Sequence, residues 1–538
     1  MRLLHTLPAL TLMAAPAAWA QGAALNLTLQ FSPLAAGGGA ISAVPVGGAA
    51  TWWAAVAVAG GLGWHLRRHR LAGAMAGLAA GLAVATALLT SAPVEALVQE
   101  QALEVALQRS PVSVDMSGAQ RHVMTFRNDA GQAIRLNGVA LAGTDQAAHT
   151  IWRWGAPVGS APRCEVGLAL AADASCTVVV APRPQVGEAI QVVLKDLHPT
   201  QPSVGYDQIY YHLARKQPNA ARFEPGTSRY DDYMKDTVGK RVSDYCADNG
   251  LDDVVAGSFV PETVKLSDAS SFACKRSATE VEAGGLKTVV VGPGGQLYLT
   301  DGHHGFTTLW ELADGGPDLP VWVRVTGDFS AAATSDAFWQ QMVATGNAWL
   351  YDAQGAAITP AQLPAQLGLA NLRDDAYRSL VYFTRDLGYS NSDVSEFAEF
   401  YWGAWLRQRV ALTADTTLHA GADEQLQAAG VALADGALVT TGDAGYLALV
   451  RDASLAMATL NAQDVVAGTR TAADLGKLAL PAKASAVNDW NDILEELGRN
   501  DIKQSGDSRK GGKAWYAKRY RQCGGPPSTQ AACWGAAS

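Results

Sequence analysis

At 538 residues the chain is too long for one ordinary core and long enough for two or three domains. Charged residues make up only 17%, against roughly 25% in soluble proteins, so some stretch of the chain is strongly uncharged. The net charge of −9 excludes bulk electrostatics as a route to nucleic acid; such a role needs a local basic patch.

The first segment, "MRLLHTLPALTLMAAPAAWAQG", has Arg2, an apolar run from Leu3 to Ala15 and the small-x-small exit Ala18-Trp19-Ala20. This pattern predicts a secretory signal over 1–20, followed by a spacer over 21–45. Val46 to Trp64 and Leu71 to Ala92 contain no Asp, Glu, Lys or Arg. Each is close to the ~20 residues that cross a bilayer, which predicts a transmembrane hairpin over 46–92. Arg67, Arg68 and Arg70 lie between the two runs, where basic residues favour the cytoplasmic side. Both flanks then face outward. The expected location is the cell envelope, inner membrane, with the C-terminal part periplasmic or extracellular. Trp52, Trp53 and Trp64 suit interface anchors, and the many glycines suit close helix packing.

This signal, spacer, "ISAVPVGGAATWW", apolar span and arginine cluster resemble proteins cut in mid-chain by an exosortase. The resemblance covers roughly the first 90 residues. It implies an exosortase-type processing partner and a cut near Pro45, with "VPVG" standing where the family has an "IPTL"-type motif. Release of the downstream part would follow such a cut.

Six cysteines follow: Cys164, Cys176, Cys246, Cys274, Cys523 and Cys533. An even number in an exported chain fits disulfides, and sequence neighbours offer Cys164–Cys176, Cys246–Cys274 and Cys523–Cys533 as the local pairing among several. No CxxC or Cys/His spacing suggests structural zinc. Over 105–188, short alternating runs such as "RHVMTFRND", "IRLNGVAL" and "CTVVVAP" predict a small β-sandwich. "APRCEVGLALAADASCTVVVAP" resembles the Cys-containing hairpin of Ig-like surface domains, with Ala171 to Ala174 where Pro-Gly is usual. The expected role of this domain is spacing or docking.

From about 190 the pattern turns to mixed α/β. Thr288 to Val291 and Gln296 to Thr300 read as strands joined by the turn Gly292-Pro293-Gly294-Gly295. Phe306, Leu309, Trp310 and Leu312 then recur at helical spacing. Asp301-Gly302-His303-His304 falls between strand and helix, with Asp301 expected as the N-cap. Free N–H groups at such a helix start favour an anion, and Gly302 permits close approach of a phosphate. The helix end disfavours imidazolium, so His303 and His304 are expected neutral, suited to general base catalysis or to hydrogen-bond donation. Adjacent histidines diverge on a helix, unlike a metal-binding i, i+4 pair. Asp301 with one histidine could still hold a divalent metal, and the sequence leaves the cofactor open. A capping aspartate with one buried and one exposed histidine is the purely structural alternative.

The motif has company. "HPTQPSVGY", "VVVGPGGQLYLTDGHH", "PVWVRVTGDFS", "DDAYRSL" and "FAEFYWGAWLR" occur in one order. Over about 197–409 the chain resembles the ParB-like nuclease family, in the branch marked by Asp-Gly-His-His. The resemblance implies a ParB/sulfiredoxin-type α/β fold over 190–410, with the strand-to-helix turn receiving nucleotide phosphates. Carried over residue by residue, the turn is Asp301, Gly302, His303 and His304. Gly305 stands where relatives often have a phosphate-clamping arginine. Asp374, Asp375, Tyr377, Arg378 and Glu399 match a second block, and Arg378 would supply the missing guanidinium if it reaches the turn. These residues could equally cap helices and pair ions.

Residues 411–500 are Ala-rich and predict a helical extension. The tail, 501–538, interleaves Lys503, Arg509, Lys510, Lys513, Lys518, Arg519 and Arg521 with Trp515, Tyr516 and Tyr520. Such a pattern can grip nucleic acid, form a solvated, disulfide-clipped tail or contact an anionic surface. The whole chain therefore reads as multidomain: signal peptide and transmembrane hairpin, small β-sandwich, then an α/β domain with a helical extension. Two functions follow: a membrane-anchored phosphodiesterase, nuclease or nucleotide-binding enzyme working through the DGHH turn, or a non-catalytic envelope binding module on a degenerate ParB-like fold.

Overall fold

The computed structural model describes residues 24–34, 101–117, 121–155, 159–392, 394, 397–413, 417–418, 426–442, 444–500 and 511–535. The expected signal peptide, transmembrane hairpin and exosortase motif lie outside these residues. No helix among the described residues is long and apolar enough to cross a membrane. The chain divides into two compact units at Arg183/Pro184, with residues 153–155 belonging to the second.

The first unit holds β1 (Ala24–Pro33), β2 (Gln101–Ala106), β3 (Val112–Ser117), β4 (His122–Arg127), β5 (Ile134–Gly143), β6 (His149–Trp152), β7 (Ala169–Leu170) and β8 (Ser175–Pro182). They form two four-stranded sheets, β3-β1-β5-β7 and β2-β4-β8-β6. One core takes side chains from both: Leu25, Leu27 and Leu29 of β1, Met124 and Phe126 of β4, Val178 and Val180 of β8. This is a sandwich, and its membership differs from the expectation. β1 comes from the segment read as spacer, yet it pairs antiparallel with both β3 and β5. The reason is its period of two: Leu25, Leu27, Leu29 and Phe31 are buried on one face. Cys164 and Cys176 are joined beneath the strands.

In the second unit a five-stranded sheet has the order β10-β13-β12-β14-β9. Its strands are β9 (Ala189–Val193), β10 (Leu197–Pro199), β12 (Lys287–Val291), β13 (Leu297–Leu299) and β14 (Pro320–Asp328); β11 (Ser203–Val204) pairs separately with β15 (Arg373–Asp374). The "GPGG" turn joins β12 and β13 antiparallel, as its composition predicts. β14 buries every second residue between β12 and β9, with Thr326 and Asp328 exposed.

The helices are α1 (Tyr206–Lys216), α2 (Ser228–Asp248), α3 (His303–Glu311), α4 (Ser335–Ala344), α5 (Ala376–Phe383) and α6 (Ala398–Arg407). Thr227 caps α2, accepting from the Tyr230 N–H, and Thr334 caps α4 through the Ala337 N–H. Beyond them lie β16 (Gly430–Ala434), β17 (Ala437–Thr441), α7 (Tyr446–Thr459), β18 (Val465–Ala467), β19 (Arg470–Thr471) and α8 (Ala484–Gly498). The expected helical extension thus contains two hairpins as well. The first turns at Asp435-Gly436, both at positive φ, the signature of a two-residue hairpin loop. α5, α6, α7 and α8 share a core built around Trp402, Tyr389, Tyr446 and Trp490.

The described part of the tail is folded in rather than solvated. α9 (Lys513–Cys523) and α10 (Ala531–Trp534) are tied by the Cys523–Cys533 disulfide. Trp515, Tyr516 and Trp534 are buried around Ala214 of α1, and Tyr520 stacks on Tyr210 with ring centroids 4.4 Å apart. Even Lys518 is buried. The aromatic residues that a nucleic-acid grip would display form a helix-docking core here, because their apolar area gains more from covering α1 than from facing water. Lys503, Arg509 and Lys510 lie outside the described residues. The third disulfide, Cys246–Cys274, ties the end of α2 to its following loop.

Candidate functional site

β13 ends at Leu299, and Thr300 is held by a 2.7 Å hydroxyl contact with Thr288 of β12. The chain then turns at Gly302, in the left-handed region at φ 96°, and α3 begins at His303. A side chain at 302 would meet Lys287 Cγ at 2.6 Å, so glycine is required for space as well as for conformation. This geometry corrects one expectation: the N-cap is Gly302, not Asp301, and no side chain caps α3. The left-handed residue places Asp301 one position outside the cap. Its carboxylate makes no hydrogen bond or ion pair among the described residues, and it lines the cavity in front of the turn. The first intrahelical bond runs from the Phe306 N–H to the Gly302 carbonyl. The N–H groups of His303, His304 and Gly305 therefore lack i−4 partners.

Both histidines are buried, His303 at 3% and His304 at 9% exposure. Each ring turns Nε2 toward a backbone donor: the Thr200 N–H reaches His303 at 3.2 Å, and the Gly205 N–H reaches His304 at 2.9 Å. A ring nitrogen that accepts carries no proton, so each neutral imidazole keeps its proton on Nδ1. Burial holds both neutral. It is the main cause lowering His303 well below the ordinary value, with His304 and Arg378 adding to it. His304 is lowered to about 3, again chiefly by burial and then by Arg378. Neutral histidines were expected; the fixed tautomer, in which both Nε2 lone pairs are already used, was not.

Behind the turn sits an unbalanced ion cluster. Arg378, 5% exposed, donates from Nη2 to Glu399 Oε2 at 2.9 Å and lies with Cζ 3.6 Å over the Phe400 ring. Its Nε and Nη1 have no hydrogen-bond partner. Arg385 donates from Nε to the other carboxylate oxygen, Oε1, at 3.0 Å, and Tyr389 donates to that same oxygen at 3.2 Å. Burial works to raise the Glu399 carboxyl, but Arg385, Arg378 and His304 outweigh it and hold it well below the carboxylate range. Two guanidiniums thus share one carboxylate, leaving a buried positive charge beside the helix start.

The other second-block residues brace rather than line the site. Asp375 caps α5, accepting from the Tyr377 and Arg378 N–H groups, and pairs with Arg407 at 3.0 Å. Tyr377 donates its hydroxyl proton to the Val410 carbonyl. Asp374 accepts from the Tyr206 N–H at 3.1 Å and from Arg521 at 2.8 Å. This fits the capping and ion-pair alternative for Asp374, Asp375 and Tyr377, whereas Arg378 and Glu399 join the turn.

The cavity in front of the turn measures about 490 Å³. It brings together Asp301, Gly302, His303, His304, Arg378 and Glu399 from the sequence-predicted set. It also contains residues that sequence reasoning missed: Gln208, His212 and Lys216 of α1, and Lys240, Asp244 and Asp248 of α2. Each trio is spaced i, i+4, i+8, one stripe of a helix, which is the signal that could have found them. Five lysines and arginines face four carboxylates around the wall. Among the described residues, no group of three or more His, Cys, Asp or Glu is gathered as a metal site.

Comparison with known proteins agrees with the motif reading. The solved structure of protein Atu1540 from Agrobacterium tumefaciens aligns at 20% identity over 42% of this chain and 81% of its own, with a TM-score of 0.25, too low to carry an argument. No curated protein matches the chain. Residues 190–408 match the family model described as "Putative ParB-like nuclease", so the chain carries a domain of the ParB-like nuclease family there.

Proposed function

We propose that this chain is a ParB-like phosphodiesterase, with a nucleotide or nucleic acid as substrate, and that the cleft before the DGHH turn receives the phosphoryl group. The observation that carries this reading is the surplus buried charge. Arg378 and Arg385 share Glu399, in a site that also offers the unpaired N–H groups of α3 and the Nδ1–H donors of His303 and His304. An anion is the ligand that completes such an arrangement. In hydrolysis, water would attack phosphorus and lose a proton to Asp301, the ester P–O bond would break, and the departing alkoxide would take a proton from solvent to leave as the alcohol. His303, His304 and Arg378 would stabilise the charge on the phosphoryl oxygens. The base is assigned to Asp301 because both histidines already spend Nε2 on backbone donors.

That same spending favours a second reading, a binding module without turnover. Three disulfides fit an oxidising compartment, and we place the protein in the cell envelope, anchored to the membrane and processed by an exosortase-type enzyme, on the strength of its N-terminal sequence. The test measures binding of phosphate, nucleotides and oligonucleotides, and hydrolysis of a chromogenic phosphodiester, by wild type, Arg378→Met and Asp301→Asn. Arg378→Met should weaken phosphate binding at least about tenfold, the loss of one charged hydrogen-bonding partner. Asp301→Asn should bind but not hydrolyse. Binding without wild-type turnover selects the second reading, and no binding at all overturns both.

A further inference from the structure

We propose that the cavity contains a second anion subsite, built from Lys216 and Lys240 around Asp244, and that its ligand carries two phosphoryl groups. This rests on the reading of the Arg378 side as the first phosphoryl site.

The far wall repeats the imbalance found beside the turn. Lys216, at the end of α1, is 4% exposed, and its Nζ lies 2.9 Å from Asp244 Oδ2. Lys240, one turn earlier on α2, contacts the other oxygen, Oδ1. Two ammonium groups thus share one carboxylate, as two guanidiniums share Glu399. A buried lysine needs one carboxylate to offset its desolvation, and the second lysine is surplus to that need. Burial works to raise the Asp244 carboxyl, but Lys216 and Lys240 outweigh it and hold it low, so the carboxylate stays ionised.

His212 lies on the same stripe of α1, four residues before Lys216, and lines the same cavity. Burial chiefly, then Lys216, Lys240, His304 and Arg385, lower its pKa, which sets it within electrostatic reach of both clusters. It stays neutral and adds no charge. Lys287 is matched by Asp248 at 3.7 Å; Asp301 lines the cavity without a partner among the described residues, so the whole wall is one charge positive while each cluster keeps its own local surplus. One compact monoanion would compensate one cluster and leave the other uncovered. A diphosphate, with a charged group at each end, compensates both within 490 Å³. The chemical class is therefore a pyrophosphate-type ligand, such as a nucleoside diphosphate.

The experiment compares inorganic phosphate with pyrophosphate by calorimetry on the intact protein at fixed ionic strength. Wild type should bind pyrophosphate at least about tenfold more tightly, the scale of one added charged contact. Lys216→Met/Lys240→Met should erase that advantage while leaving the phosphate Kd within about twofold. Arg378→Met should weaken both ligands together. Lys240→Met alone, at a half-exposed position, should cut the advantage without the folding risk of the buried lysine. Equal affinity of wild type for the two anions, or an undiminished pyrophosphate advantage in both lysine variants, overturns the second subsite while phosphate binding keeps the first. Failure of either anion to bind overturns both.

Discussion

Acidification should destabilise this protein through His304, and the size of the loss follows from its surroundings. The ring is nearly enclosed, accepts the Gly205 N–H at Nε2, and faces Arg378 and Arg385 without a carboxylate of its own, Glu399 being committed to both arginines. Its pKa falls from 6.5 in an open chain to about 3 in the fold. A depressed folded value means that the unfolded chain takes up the proton first. The stability is fully present above pH 6.5 and is lost as pH falls toward 3. Each unit of pH within that window costs up to about 1.4 kcal/mol, so at pH 5 the loss relative to pH 8 is about 2 kcal/mol. Denaturant unfolding of wild type and His304→Gln, measured from pH 8 to pH 5, tests this. Glutamine cannot titrate, so the gap between the two stability curves should close by about 2 kcal/mol on acidification. Parallel curves would refute the reasoning and show that His304 is already charged or already solvated.

Two further outcomes follow from packing and charge. Gly205→Ala should cost about 1–3 kcal/mol, because the new Cβ would lie 2.7 Å from the Ser379 backbone nitrogen, whereas Gly305→Ala, with its nearest neighbour at 3.9 Å, should be neutral or better; thermal melts separate them. Arg521→Met should cost about 3–5 kcal/mol at pH 8, since Arg521 lies 2.5 Å from buried Asp207 and 2.8 Å from Asp374. Asp207 is already pushed up to about 6, by burial first, and a raised folded value means stability gained as pH falls. Arg521 holds that value down, so without it the carboxyl rises further, the variant gains more than wild type as pH falls, and the gap should narrow between pH 8 and pH 5; a constant gap would remove Asp207 from the account.

Much of the architecture was written in local patterns. The β-branched run of β12, the "GPGG" turn, and the strand-to-helix step at Gly302 are local events, set by backbone preference and alternation over a few residues. The three disulfides join sequence neighbours, the local choice among the pairings that the sequence left open. β1 was equally periodic, but a strand at the edge of a presumed spacer offers no sign of the sheet it will enter. The DGHH turn was found as a site candidate, while the roles of its members were not.

Those roles depend on partners far away along the chain. The tautomer of His304 is set by Gly205, 99 residues earlier, and Arg521 reaches Asp207 across 314 residues. The surplus charges of the cavity arise only when Arg378 and Arg385 meet Glu399 and when Lys216 meets Lys240 at Asp244. Periodicity reports which face of an element is apolar; it carries no information about which charged face will oppose it. The sequence alone placed the DGHH turn and the β12–β13 hairpin and offered the local cysteine pairing as one among several, but not the sheet of β1 or the hairpins of the extension. Tertiary structure decided which imidazole nitrogen holds the proton and where positive charge is left uncompensated, because hydrogen bonds and ion pairs are fixed by distance in space.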